Sequence, residues 1–282
     1  MRLALLGYPL AHSLSPLMHN AALEAAGLDW RYEAMPVPAH ELAGAVAAIR
    51  GDDYAGANVT VPHKEAVAPL LDGLTPVAAA IGAVNTLVKK EGRLLGHNTD
   101  AAGLLADLYA HEVKIADQPV LILGAGGAAR AAVAACAGAG AEIRVVARRR
   151  AQAEALQALV PSQTPGASAT IEIFDWTPLG LLLASDDPAL ILNTTPLGMT
   201  PHLEGTPWIE GTPFPPDAFV YDLVYNPPET LFVRQARSAG LRAATGLGML
   251  VEQGALAFEL WTERQAPREV MREAAEGELR EA

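Results

Sequence analysis

Two polar motifs at the ends of apolar runs carry side chains that can move a proton. Asn58-Val59-Thr60-Val61-Pro62-His63-Lys64 closes one run, and Gly96-His97-Asn98-Thr99-Asp100 closes another. An ammonium or a carboxylate held at a strand end, where loops build pockets, suits general acid–base work on a bound ligand. Taken singly, Lys64 also reads as a solvated lysine and Asp100 as an ordinary turn residue. Ser13-Leu14-Ser15-Pro16 follows the first apolar run and precedes a helical pattern. Its hydroxyls can cap that helix or hold a ligand carboxylate beside the positive helix end. Gly82-Ala83-Val84-Asn85-Thr86 adds amide and hydroxyl groups suited to a polyhydroxylated ligand, or to a plain capped turn.

A second kind of chemistry is written at Gly124-Ala125-Gly126-Gly127, between the apolar run Val120–Leu123 and an Ala-rich helical stretch. The spacing Gly124-x-Gly126-x-x-Ala129 allows a tight turn, a close backbone approach to a pyrophosphate, and close helix–strand packing. An NAD site usually adds an acid about 20 residues on, to hold the ribose 2′-hydroxyl. Here the next strand ends Ala147-Arg148-Arg149-Arg150, with no acid. Guanidinium groups bind phosphate with charge-assisted bonds, so the run suits the 2′-phosphate of NADP. The competing reading is a solvated basic turn.

These groups need elements to hold them. Leu3–Gly7, Tyr32–Val37 and Tyr54–Val59 read as strands, with helices expected at Pro16–Ala26, His40–Ile49 and His63–Leu71. Val84–Lys89 and Arg93–His97, joined through Glu91-Gly92, read as a hairpin. Further strands are expected at Ile143–Ala147, Leu190–Asn193 and Phe219–Leu223, with a helix near Gly248–Arg264 and a helical tail after Pro267. Pro161–Ala169 reads as loop, and the stretch from there to Asp187 is the least informative. Alternation of this kind implies crossover connections and mostly parallel sheets. The expected fold class is α/β with two domains. Residues 1–101, completed by 248–282, form one and residues 102–247 a Rossmann-like second.

Composition narrows the partners. The 282 residues carry 32 acids against 20 Lys and Arg, a net charge of −12. Such a surface repels polyphosphate backbones, so nucleic acid is not expected as a partner, while a few local cations still admit a small anion. The single cysteine, Cys136, lies in the Ala-rich stretch and reads as a small buried hydrophobe. No run approaches the roughly 20 apolar residues of a membrane span. Met1–Gly7 lacks the pattern of a signal peptide, and a cytoplasmic protein is expected. The seven histidines show no paired ligand spacing, so no metal is expected, and His63 reads as a helix-start residue. The expected partner is a small-molecule substrate, and a homodimer is the assembly considered.

Taken in order, Ser-x-Ser-Pro, Asn-Val-Thr-x-Pro-x-Lys, Gly-Ala-Val-Asn-Thr and Asn-Thr-Asp resemble the shikimate dehydrogenase family. The resemblance continues through Asn193-Thr194-Thr195-Pro196-Leu197-Gly198-Met199, Tyr221-Asp222-Leu223-Val224-Tyr225 and Gly246-Leu247-Gly248-Met249-Leu250-Val251-x-Gln253. It implies an N-terminal α/β substrate domain, a Rossmann-like NADP domain, and reversible NADPH-dependent reduction of the C3 ketone of 3-dehydroshikimate. By resemblance, Ser13 and Ser15 hold the substrate carboxylate. Thr60, Asn85, Tyr225 and Gln253 bond the carboxylate or ring hydroxyls. Lys64 and Asp100 flank the reacting oxygen as a catalytic pair. Gly124, Ala125, Gly126, Gly127 and Ala128 cradle the pyrophosphate, and Arg148 with Arg149 faces the adenosine phosphate. Leu223 and Gly246 line the nicotinamide, with Met199 and Met249 nearby.

Two positions depart from the family pattern. Ala147-Arg148-Arg149 stands where Asn-Arg-Thr is common, and Ala101-Ala102-Gly103 where Gly commonly follows the Asp. Rival readings are a quinate/shikimate or aminoshikimate dehydrogenase, and a non-catalytic NADP-binding sensor. Retention of both Lys64 and Asp100 argues against the sensor.

Overall fold

The structure is a computed structural model that describes residues 1–11, 13–160 and 171–281. The expected loop Pro161–Ala169 lies outside the described residues. The chain divides into two compact units, Met1–Gly103 with Val251–Ala282, and Leu104–Leu250.

The first unit opens with strand β1 (Arg2–Gly7), helix α1 (Ser15–Ala25), strand β2 (Arg31–Pro36), helix α2 (Leu42–Ile49) and strand β3 (Tyr54–Val59). Short strand β4 (Gly73–Leu74), helix α3 (Pro76–Ile81) and the pair β5 (Thr86–Lys90) and β6 (Arg93–His97) follow. The strands form one sheet in the order β2-β1-β3-β5-β6-β4. β1 runs parallel to β2 and β3, while β5 and β6 are the expected hairpin, antiparallel to each other, with β5 also antiparallel to β3. Register puts Asn58 opposite Thr86 and Thr86 opposite His97. The C-terminal ends of β1, β3 and β6 and the start of β5 therefore share one sheet edge. Every polar motif that the sequence singles out in this unit leaves from that edge.

The helix expected over His63–Leu71 does not form. Val67 N–H bonds the His63 carbonyl once at 2.9 Å, and the segment then tightens into a 3₁₀ turn, Ala68–Leu70. Pro69 is the reason: it lacks the N–H donor and its ring collides with the preceding turn. Lys64 consequently sits in irregular backbone, anchored where Val84 N–H donates to the Lys64 carbonyl at 2.7 Å.

Helix α4 (Asp100–Ala110) carries the chain into the second unit. That unit contains β7 (Pro119–Leu123), α5 (Gly127–Gly138), β8 (Glu142–Ala147), α6 (Arg150–Ala155), β9 (Ile171–Asp175) and α7 (Pro178–Ala184). It continues with β10 (Leu190–Asn193), β11 (Phe219–Asp222), α8 (Leu231–Ser238) and β12 (Ala243–Thr245). All six strands are parallel in the order β12-β11-β10-β7-β8-β9. The chain winds outward from β7 through β8 to β9, then restarts beside β7 at β10. This topological switch point opens a crevice at the strand carboxyl ends, where ligands of such sheets bind. Helix α9 (Leu247–Thr262) returns the chain to the first unit, where α10 (Arg268–Glu281) packs on α1.

Fully buried strands such as Val-Leu-Ile-Leu in β7 supply the core, as sheets covered on both faces require. Cys136 belongs to that interior: burial pushes its thiol up to about 12, so it stays a neutral apolar side chain. Among the described residues, no helix is long and apolar enough to cross a membrane.

Candidate active site

At the polar edge of the first sheet, Lys64 Nζ donates to Asp100 Oδ2 at 2.8 Å. The two groups come from different elements, Lys64 from the turn after β3 and Asp100 from the first residue of α4. Asp100 is 7% exposed at its side chain and Lys64 19%. The carboxylate's other oxygen accepts from Asn85 Nδ2 at 2.9 Å, and Asn85 Nδ2 also approaches Thr99 Oγ1 at 2.8 Å and Gln253 Oε1 at 3.4 Å. Placement of a carboxylate in the first turn of α4 is favoured by the helix dipole. Asn98 Oδ1 caps the same helix, accepting from Asp100 N–H at 3.0 Å.

Lys64, Asp100, Asn85 and Gln253 thus meet in one cluster. Thr60 follows the end of β3 nearby, its N–H bonded to the Leu6 carbonyl. Ser15 begins α1 and is buried, and Ser13 Oγ accepts from Ser15 N–H only weakly, at 3.4 Å. His63 is buried and its Nε2 bonds the Val37 carbonyl at 2.6 Å, so it ties two loops together; the helix it was expected to start does not exist. Tyr225 lies in the second unit, in the loop after β11.

The second unit holds a pocket lined by Gly124, Ala125 and Gly126, by Ala147, Arg148, Arg149 and Gln152, and by Trp176 and Thr194–Pro196. Gly124 has φ +113°, and a Cβ there would stand 2.7 Å from Thr194 Oγ1. Only glycine fits this turn. At Gly126 and Gly127 an added Cβ would meet nothing within 4 Å among the described residues, which leaves the backbone at the start of α5 open to a ligand. Ala129 is fully buried beneath it. Arg150 is ion-paired with Glu154 and Asp175, whereas no acid engages Arg148 or Arg149 among the described residues. A glycine cradle at a helix N-terminus beside two uncompensated guanidinium groups fits a dinucleotide carrying a 2′-phosphate. Gly127 and Ala128 form the first turn of α5, outside the pocket lining. Leu223 and Gly246 lie together at the ends of β11 and β12, where a Cβ on Gly246 would stand 2.4 Å from the Leu223 carbonyl oxygen.

Comparison with known proteins decides the family. Residues 5–87 match the shikimate dehydrogenase substrate binding domain, and residues 246–276 the shikimate 5′-dehydrogenase C-terminal domain. The chain is 45% identical to the NADP⁺ shikimate dehydrogenase of Symbiobacterium thermophilum, over 97% of this chain and 92% of that one. It belongs to the shikimate dehydrogenase family. A second relative, from Moorella thermoacetica, is 47% identical over 95% of this chain and 90% of its own. The shikimate 5-dehydrogenase of Thermus thermophilus, solved with NADP(H) and shikimate, superposes with a TM-score of 0.87 at 40% identity, covering 98% of this chain and 99% of that one.

This member of the family also carries two supporting networks that single motifs do not announce. Asn58 accepts from Tyr32 Oη at 2.8 Å and donates to the Asn85 carbonyl at 3.0 Å and to Thr86 Oγ1 at 3.1 Å, fixing Asn85 from behind. In the second unit Asp222, fully buried, accepts from Asn193 Nδ2 (2.8 Å), Val224 N–H (3.0 Å) and Thr230 Oγ1 (2.7 Å). Asn193 Oδ1 in turn receives Thr195 N–H and Oγ1, so the pair fixes one wall of the pocket. The available signal was a polar residue ending each of two adjacent apolar strands.

Burial pushes the Asp222 carboxyl up to about 6, despite the three hydrogen bonds that favour its charged form. Its folded value exceeds its unfolded one of 3.8. Its contribution to stability is therefore complete below pH 3.8 and lost as pH rises through 6, about 3 kcal/mol in all. Asp222→Asn, nearly isosteric and unable to ionise, should lose that slope between pH 4 and 7. Urea midpoints across this range check it; a variant with the wild-type slope would refute the assignment.

Proposed function

We propose that the protein reduces the C3 ketone of 3-dehydroshikimate to shikimate with NADPH, reversibly, in the cytoplasm. The observation that carries this reading is the Lys64–Asp100 pair, linked through Asn85 to Gln253, in a chain whose relatives are shikimate dehydrogenases. A dinucleotide held in the second unit's pocket would supply the hydride in one direction and accept it in the other.

The chain's own residues do the rest. Reduction leaves an alkoxide at the former ketone, and Lys64 Nζ delivers the proton to that oxygen. In the oxidation the same nitrogen takes the hydroxyl proton. Asp100 holds the ammonium in place through Oδ2, while Asn85 fixes Asp100 through Oδ1. Ser13 and Ser15 offer hydroxyls to the substrate carboxylate at the N-terminus of α1, whose dipole favours an anion. Thr60, Asn85, Gln253 and Tyr225 offer bonds to the remaining oxygens. Gly124 to Ala128 would hold the pyrophosphate, Arg148 and Arg149 the 2′-phosphate, and Leu223 and Gly246 the nicotinamide end.

Steady-state rates with shikimate and quinate, each with NADP⁺ and NAD⁺, test the reading. Shikimate with NADP⁺ should be preferred. A quinate/NAD⁺ preference would transfer the chain to the quinate type, and no turnover with any combination would favour a binding protein. Arg149→Ala should weaken NADP⁺ by about 10-fold, the size of one partly screened charge-assisted bond, and leave NAD⁺ nearly unaffected. Equal losses for both cofactors would remove the 2′-phosphate role.

A further inference from the structure

Trp176 lines the dinucleotide pocket, and neither the motifs nor the family resemblance gives it a task. It follows Asp175, the last residue of β9, and Asp175 is the register partner of Ala147, the last residue of β8. Neighbouring strands run about 4.8 Å apart. Trp176 and Arg148 therefore leave the sheet side by side at the same end. The indole is half-buried and packs partly against the apolar cluster formed by residues such as Leu181 and Trp208. Among the described residues no ring stacks on it, no cation lies over it, and its Nε1–H makes no hydrogen bond. One aromatic surface is thus left for whatever enters the pocket.

The pocket's other walls are specialised for phosphate: a glycine turn at a helix N-terminus and two uncompensated guanidinium groups. Charge alone grips phosphates and leaves the base unheld. A purine ring needs an apolar plane, and an indole supplies one that costs little ordering entropy. The chain also lacks the Asn and Thr that commonly flank the arginine at the end of β8, so hydrogen bonds lost there call for another source of affinity.

We propose that Trp176 is the base-stacking wall of this site, holding the adenine ring while Arg148 and Arg149 hold the neighbouring phosphate. This rests on the NADP reading above. Pro196, on the loop after β10, closes the pocket as a further apolar surface.

The test uses the full-length protein and titration calorimetry with 2′,5′-ADP, NADP⁺ and nicotinamide mononucleotide. Trp176→Leu keeps an apolar side chain against the cluster but removes the aromatic face. It should bind 2′,5′-ADP and NADP⁺ about 10-fold more weakly, the size of one base–aromatic stack, and bind nicotinamide mononucleotide as before. Trp176→Phe keeps a smaller aromatic face and should stay within about 3-fold of wild type. Tryptophan fluorescence gives a second readout. Its quenching by 2′,5′-ADP should disappear in Trp176→Phe, a result that holds even if the Leu variant folds poorly. Unchanged 2′,5′-ADP affinity in Trp176→Leu, equal losses for the mononucleotide, or quenching that persists in Trp176→Phe would overturn the assignment. Wild-type protein that fails to bind 2′,5′-ADP would overturn the NADP reading itself, and this inference with it.

Discussion

Lys64→Ala is expected to lose about 10²- to 10⁴-fold in kcat while KM for shikimate changes little, because positioned proton transfer contributes that much to a rate. In the proposed reading the hydroxyl and carboxylate contacts to shikimate come from other residues, so truncating Lys64 should remove an interaction needed in the transition state more than in the ground state. The variant leaves Asp100, 7% exposed, with Asn85 as its remaining side-chain partner among the described residues. A buried carboxylate deprived of its cation is costly, so circular dichroism and shikimate binding must accompany the rates. A folded variant that binds shikimate and retains near-normal kcat would remove Lys64 as the proton carrier.

Asp100→Asn sharpens the same result. Each oxygen of Asp100 accepts one bond, from Lys64 Nζ and from Asn85 Nδ2. An amide in its place must turn an NH₂ group towards one of those two donors, so it loses either the lysine or the asparagine. A fall of about 10- to 10³-fold is expected, within the range of positioned acid–base catalysis. Combined with Lys64→Ala, the losses should be strongly non-additive, since an orienting group has nothing left to orient. Full additivity would mean that the two residues act independently rather than as a coupled unit.

Much of this site is legible in the sequence because its residues sit in short contiguous motifs. Gly124-x-Gly126-x-x-Ala129 spells out a strand–turn–helix on its own, and β7, α5 and β8 follow it. Lys64 and Asp100 are legible as candidates, but their 2.8 Å contact depends on a three-strand register from β3 through β5 to β6 that no local pattern fixes. The helix expected at His63–Leu71 fails because Pro69 outweighs the apolar period around it. Helix α4 escapes a sequence reading for the opposite reason. It starts inside the Asn98-Thr99-Asp100 motif, whose residues read as turn formers, and its cap is the Asn98 side chain. Asn58 and Asp222 each act through partners far along the chain. Tyr32 is 26 residues from Asn58, and Asn193 is 29 from Asp222. Such pairings are tertiary facts that composition and spacing do not encode.

His19 is one such residue, and it should make the first unit acid-labile. It is fully buried in α1, stacked on Tyr32 with ring centroids 4.4 Å apart and planes at 9°, with Trp261 tilted against it at 5.4 Å. Among the described residues neither ring nitrogen has a hydrogen-bond partner. Burial lowers its pKa from 6.5 to about 3, so the folded protein holds the imidazole neutral where the unfolded chain takes up a proton. The folded value lies below the unfolded one, so the stability it contributes is complete above pH 6.5 and lost as pH falls towards 3. The loss approaches about 5 kcal/mol over that window, at about 1.4 kcal/mol per pH unit. Asp222 moves the opposite way over part of the same range, so the wild-type curve alone is ambiguous. The difference between wild type and His19→Phe isolates the histidine. Phenylalanine keeps the stack on Tyr32 and cannot charge, although its larger ring can cost about 1–3 kcal/mol at every pH. Urea midpoints from pH 7.5 to 4 should therefore show wild type losing stability relative to the variant by about 3 kcal/mol at pH 4.5. Parallel curves would mean that the unfolded chain gains no proton at this position. The consequence reaches the site, because Tyr32 Oη anchors Asn58, which holds Asn85 behind Asp100. Shikimate binding in the wild type should then fail at the same pH as the stack, and in His19→Phe it should persist to lower pH.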